Sequence, residues 1–189
     1  EEKGHLFVTT PFNKGASPVD VSLSLPELQP QIDQLLEALS FVHGFGIAHG
    51  ELNPASILVS PENQILITNF TRAPHNHDLS NTVYLSPQLR DGQAADIPAD
   101  IYALGALLYK IIANQDWRAD GTFAVDKPIT TDLKHYLEAM LSPAAQDRPT
   151  DLATLRRLIN ENNGQGTSES LENITPSLFS KATSDDSFQ

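Results

Sequence analysis

Apolar residues at Leu28, Ile32, Leu35, Leu36, Leu39 and Val42 recur at helical steps, with polar positions between them. Pro30 suits the first turn of such a helix and Gly44 its C-terminal stop. The β-branched runs Ile57-Leu58-Val59 and Ile65-Leu66-Ile67 flank Pro61-Glu62-Asn63, which predicts a hairpin. Ile101, Tyr102, Leu104, Leu107, Leu108, Ile111 and Ile112 predict a helix that is apolar nearly all round, ending at Ala113, with Asp100 as its cap. A helix of that kind belongs in the middle of a domain. Leu133, Tyr136, Leu137, Met140 and Leu141 mark another helix. Thr150 is placed to cap a last one, carrying Leu152, Leu155, Leu158 and Ile159 on one face. The predicted fold is mainly α with a small β hairpin insert.

The flanks read differently. Residues 1–27 mix an apolar run, Leu6-Phe7-Val8 and then Phe12, with the loop chemistry of Asn13, Gly15, Ser17 and Pro18. Residues 28–160 carry the periodic patterns of a packed domain. From 161 to 189 the chain turns to Asn, Gly, Ser, Thr and Glu, too few apolar groups to offset the entropy of ordering, so a disordered tail is expected. Leu178-Phe179 is the exception, a pair able to dock. No internal repeat is evident.

Charge and composition narrow the function. The 189 residues include no cysteine, which excludes disulfides, zinc–thiolate sites and thiol catalysis. Lys and Arg number 12 against 24 Asp and Glu, a formal charge of −12. Gripping nucleic-acid phosphates or an anionic membrane needs the opposite sign, so neither is expected as a partner. No apolar run approaches bilayer length, so no membrane insertion is expected, and a cytoplasmic location is the expectation. Residue 1 is Glu and the only Met is Met140, which suggests a processed chain or a cut from a longer one. From Gly15 to Thr71 there is no Lys or Arg, while Asp20, Glu27, Asp33, Glu37, Glu51 and Glu62 are acidic.

The segment from His43 to Leu58, with Gly46-Ile47-Ala48-His49-Gly50-Glu51-Leu52-Asn53-Pro54-Ala55-Ser56-Ile57-Leu58 at its heart, resembles the catalytic-loop region of eukaryotic-type (Hanks-type) Ser/Thr protein kinases, LHxxGIxHRDLKPxNIL. Further likenesses follow in register. Asn69-Phe70-Thr71 stands where that family has Asp-Phe-Gly. Ser86-Pro87-Gln88 stands where it has Ala-Pro-Glu. Asp100-Ile101-Tyr102-Ala103-Leu104-Gly105 resembles the start of its buried helix, and Arg148-Pro149 its closing segment. The resemblance covers residues 28–159 and implies a kinase-like C-lobe. Residues 1–27 would then be a remnant of the last N-lobe strand, hinge and linker; a Gly-rich phosphate loop and a Val-Ala-Ile-Lys strand are not found.

By that resemblance the positions that carry chemistry have changed. Glu51 replaces the Asp that accepts the acceptor hydroxyl's proton. Asn53 replaces the Lys, Ser56 the Asn that ligates magnesium, Asn69 the magnesium carboxylate, Thr71 the following Gly, and Gly50 the Arg of the loop. The scaffold positions His49, Phe70, Asp100 and Arg148 read as in the family. Gln88 replaces the glutamate that pairs with the arginine and leaves at best a neutral-acceptor bond to Arg148. His49 is expected to pack under Phe70, and Asp100 either caps its helix or anchors the loop backbone.

Other candidates have blander readings. His75-x-His77-Asp78 has metal-ligand spacing but reads as a solvated loop, so no metal site is assigned. Trp117 either packs on the domain or anchors a partner. The combined expectation is a pseudokinase, not an enzyme, without cofactor and without Mg-ATP binding. It would act as a scaffold or assembly subunit on an unidentified protein partner, held at Leu6, Phe7, Val8 and Phe12. The alternative is a weak Ser/Thr kinase or nucleotide-binding domain completed by an N-lobe outside this chain.

Overall fold

The structure is a computed structural model that describes residues 14–70, 79–118 and 123–172. Strand β1 (Ser17–Pro18) is followed by helix α1 (Gln29–Gly44), a single 3-10 turn at Pro54–Ser56, and strands β2 (Ile57–Val59) and β3 (Ile65–Ile67). A 3-10 segment (Leu79–Tyr84) leads to the short helix α2 (Pro87–Arg90), then α3 (Ile97–Ala113), α4 (Thr131–Met140), a turn at Ala145–Asp147 and α5 (Leu152–Glu172). About half of the described residues are helical.

The hairpin is one side of a three-stranded antiparallel sheet ordered β1-β2-β3. Leu58 lies opposite Leu66 and Ile57 opposite Ile67, while Ser17 and Pro18 pair with Val59 and Leu58. Loop chemistry at 17–18 hid this strand. Pro18 has no N–H to give a ladder and is tolerated only at an edge, which is where it sits. Val19 N–H continues the contact to Ile57 O at 2.9 Å, and Leu25 is buried. The packed unit therefore takes in residues that the sequence reading assigned to a linker ending at 27.

α3 runs through the centre, with Ile101 to Tyr109 and Ile111-Ile112 buried. Its closest neighbour is α4, at Gly105, where an added Cβ would stand 3.0 Å from Met140 Cβ. α1 lays Ile32, Leu35, Leu36 and Leu39 into the same core. Gln34 Oε1 accepts from Ile65 N–H at 3.0 Å and ties α1 to β3. Trp117 packs edge-on against Tyr109 at 5.2 Å.

Three boundaries differ from those the sequence suggests. The cap of α3 is Asp96, whose side chain accepts from Ala99 N–H at 2.8 Å; Asp100 lies inside the first turn. Asp151 rather than Thr150 caps α5, accepting from Ala153 and Thr154 N–H at 3.1 and 3.2 Å. In both cases an Asp three residues before the accepting N–H competes with a neighbour of equal propensity, and backbone direction decides. α5 also continues to Glu172, through residues assigned to a disordered tail. Nucleation is the costly step of a helix, and the buried Leu152–Ile159 face has already met it. Asn162 Oδ1 accepts from Thr130 N–H at 3.0 Å, so a polar residue serves packing here. The Leu6–Phe12 strand, Thr71, the His75/His77/Asp78 group and Leu178-Phe179 all lie outside the described residues.

Candidate functional site

α1 ends in a glycine-bearing turn, where Phe45 and Ile47 N–H both return to Val42 O and Gly46 adopts φ 70°. The chain then crosses the N-terminal part of α3. There the Asp100 carboxylate, 1% exposed, takes three hydrogen bonds. His49 N–H donates at 2.7 Å, Gly50 N–H at 2.9 Å, and His43 Nε2–H at 2.9 Å. A buried carboxylate needs this many donors, and the loop backbone needs acceptors. Each requirement meets the other, so the loop is fixed to the central helix. Of the two readings open for Asp100, anchor and cap, the geometry is that of the anchor. Gly50 has φ 88°, a left-handed conformation that a side chain resists, so an Arg-to-Gly change at this position relieves the backbone.

His49 is wholly buried. Its Nε2–H donates to Thr68 O at 2.8 Å, and its Nδ1 accepts from Glu51 N–H at 3.2 Å. One nitrogen must carry the proton and the other a lone pair, so the ring is the neutral Nε2–H tautomer. Burial pulls its pKa down, against the opposing pull of the Thr68 carbonyl and the Asp100 and Glu51 carboxylates. Phe70 lies on the ring at 4.5 Å between centroids, with nearly half of its own surface exposed. Asn69, just before it, has φ 64°, a conformation that Asn tolerates better than most residues.

Asn53 and Ser56 close on each other. Asn53 Oδ1 accepts from Ala55 N–H at 2.9 Å and from Ser56 N–H at 3.3 Å. Its Nδ2 donates to Glu51 O at 2.8 Å. Ser56 Oγ accepts from Asn53 N–H at 3.0 Å and donates to Asn53 O at 2.8 Å. This reciprocal cap spans Asn53-Pro54-Ala55-Ser56. It also decides whether magnesium fits. Ser56 is fully buried with its hydroxyl engaged, Asn69 offers a neutral amide, and no group of three or more His, Asp or Glu among the described residues could hold a metal ion. A hard dication needs several carboxylate or carbonyl oxygens free to turn toward it. The donor set among the described residues does not fit it.

A second cluster lies beneath α2. Arg148, 5% exposed, donates through Nε to Ser142 O at 2.8 Å and through Nη1 to Pro98 O at 3.0 Å. Its Nη2 reaches Gln88 Oε1 at 2.7 Å and Pro143 O at 3.1 Å. Gln88 Nε2 donates in turn to Pro143 O at 2.7 Å. Tyr102 offers its ring face to the guanidinium at 5.1 Å. Burial lowers the Arg148 pKa. The acceptors it bonds are all neutral, and the Asp96 carboxylate opposes the fall through charge alone.

The structure thus brings His49, Gly50, Phe70 and Asp100 into one site, with Glu51, Asn53, Ser56 and Asn69 along its rim, and sets Gln88 with Arg148 apart. His43, at the end of α1, is a partner of Asp100 that the sequence pattern does not reveal.

The family model described as Protein kinase domain matches residues 16–161. This chain belongs to the protein kinase domain family. It is 30% identical over 121 residues to the serine/threonine-protein kinase PknB of Mycobacterium tuberculosis (strain H37Rv), covering 58% of this chain and 18% of that protein. It is 32% identical over 120 residues to a protein of Lactococcus lactis named probable serine/threonine-protein kinase PknB, covering 59% and 18%. Over 157 residues it is 26% identical to a probable serine/threonine-protein kinase of Clostridium acetobutylicum, covering 75% and 23%. The matched stretch is about a fifth of these relatives' own length. The expectation that the chain is not an enzyme is corrected by these matches: the family is one of kinases and the relatives carry that name. No helix among the described residues is long and apolar enough to cross a membrane.

Proposed function

We propose that this chain supplies the acceptor-side lobe of a Ser/Thr protein kinase, with a protein hydroxyl as phosphoryl acceptor and Glu51 as the carboxylate that receives its proton. The observation that carries the reading is the clamp of Asp100 on His49 and Gly50 N–H, which fixes the loop on which Glu51 stands. A fixed carboxylate can take the hydroxyl proton as the new O–P bond forms and the terminal anhydride bond breaks. The reading assigns the nucleotide contacts to residues outside the described ones.

The test is phosphate transfer from radiolabelled ATP to casein by the full parent protein. Glu51→Gln is expected to lower the rate by about a hundredfold or more, and Glu51→Asp to retain it. Equal rates for wild type and Glu51→Gln, or no transfer by the wild type, would overturn the reading.

One observation favours a protein-docking role beside it. Phe41 and Phe45 stack edge-on at 5.1 Å and are 67% and 69% exposed, with Ile47 at 51%. An exposed apolar group of this kind supports such a role. Phe41→Ser with Phe45→Ser should then weaken assembly of the parent protein in sedimentation, and unchanged sedimentation would remove this role.

A further inference from the structure

A hollow of about 240 Å³ opens beside the C-terminal part of α3. Leu25, Ile111, Ile112, Pro128 and Ile129 line it, together with Lys127. The lining is mostly apolar, as in cavities that hold apolar groups. α5 forms the remaining wall through Asn162 and Asn163. Both are fixed: Asn162 Oδ1 accepts from Thr130 N–H at 3.0 Å, and Asn163 Nδ2 donates to Gln29 Oε1. Asn163 Oδ1 is buried without a hydrogen-bond partner.

We propose that the hollow is the docking site of the chain's own C-terminal segment, with Leu178 and Phe179 as the side chains that fill it. Geometry allows it. A helix rises 1.5 Å per residue, so Glu172 lies about 13 Å beyond Asn163. The stretch from Glu172 to Leu178 spans up to about 20 Å when extended, more than the return requires. Pro176, between them, cannot continue the helix and favours a change of direction. Leu178-Phe179 is an adjacent apolar pair in an otherwise polar stretch. Tethering raises its local concentration at a hollow whose wall is the same helix.

The chain contains no cysteine, so introduced pairs report without background. Lys127→Cys is combined with Ser180→Cys in one chain and with Gln189→Cys in another, and intramolecular disulfide formation is followed in a glutathione buffer. Docking predicts at least a tenfold higher effective concentration for the pair with Ser180→Cys. That preference should vanish when Leu178→Ser and Phe179→Ser are added, while the melting transition of the body remains. Equal formation in the two pairs would overturn the proposal. A preference for the pair with Gln189→Cys would point to Phe188 instead, and disulfides only between chains would point to a second copy; either would also overturn it.

Discussion

His49 is held as a neutral ring by a carbonyl on one nitrogen and an N–H on the other, and its pKa lies below the ordinary value of 6.5. In the unfolded chain it titrates normally. Below about pH 6.5 the unfolded state therefore binds a proton that the folded state refuses, and stability falls with falling pH until the folded ring is protonated too. The slope for one such proton is at most about 1.4 kcal/mol per pH unit. Urea unfolding at pH 7.5 and 5.5 should show this loss, and His49→Gln should flatten it; an unchanged pH dependence in the variant would remove the assignment. Asp100 makes a larger claim. Asp100→Ala leaves two backbone N–H groups and His43 without their acceptor, so it should cost about 3 kcal/mol, as for a buried network. Asp96→Ala removes a helix cap and a carboxylate that favours the Arg148 charge, and should cost about 1 kcal/mol. Chemical denaturation of both variants separates clamp from cap: similar losses would return Asp100 to an ordinary first-turn residue.

Helices with strong apolar periodicity were legible from the sequence, α1, α3 and α4 within a few residues, because burial and helical spacing there agree. β1 was not, since two residues containing a proline carry no alternation and their pairing is made by β2. The extension of α5 past Ile159 was hidden for the opposite reason: its polar residues look unsuited to a core, yet Asn162 and Asn163 are used as hydrogen-bonding struts. α3 and α4 meet where Gly105 admits close approach. Gly105→Val should destabilise by about 2 kcal/mol or more, because the added atoms meet Met140 Cβ and Leu141 Cγ before any gain in helix propensity can act. A variant with unchanged Tm would show that α4 yields without cost.

Over the whole molecule, the positions that carry the catalytic-loop resemblance form the hydrogen-bonded frame of the site, while the chemistry at those positions depends on geometry that a sequence does not state. Asn53 and Ser56 read in the sequence as two separate replacements; in the fold they are one reciprocal cap that uses up both side chains. The chain carries a net charge of −12 and no Lys or Arg from Gly15 to Thr71, so triphosphate oxygens near Glu51 and Asn69 would meet neutral and negative groups. Magnesium would have to bridge that repulsion, and the donors among the described residues are engaged or uncharged. The 189-residue chain by itself is therefore expected to gain no stability from millimolar Mg-ATP. A ligand present at a hundred times its dissociation constant would add about 2.7 kcal/mol, a rise in Tm of several degrees for a domain of this size. Thermal unfolding with Mg-ATP, with ATP and EDTA, and with neither measures it directly. Three coincident transitions are the expected result. A rise confined to Mg-ATP would mean that Asn69 and Glu51 suffice for the metal after all, and that this lobe holds nucleotide without help from outside it.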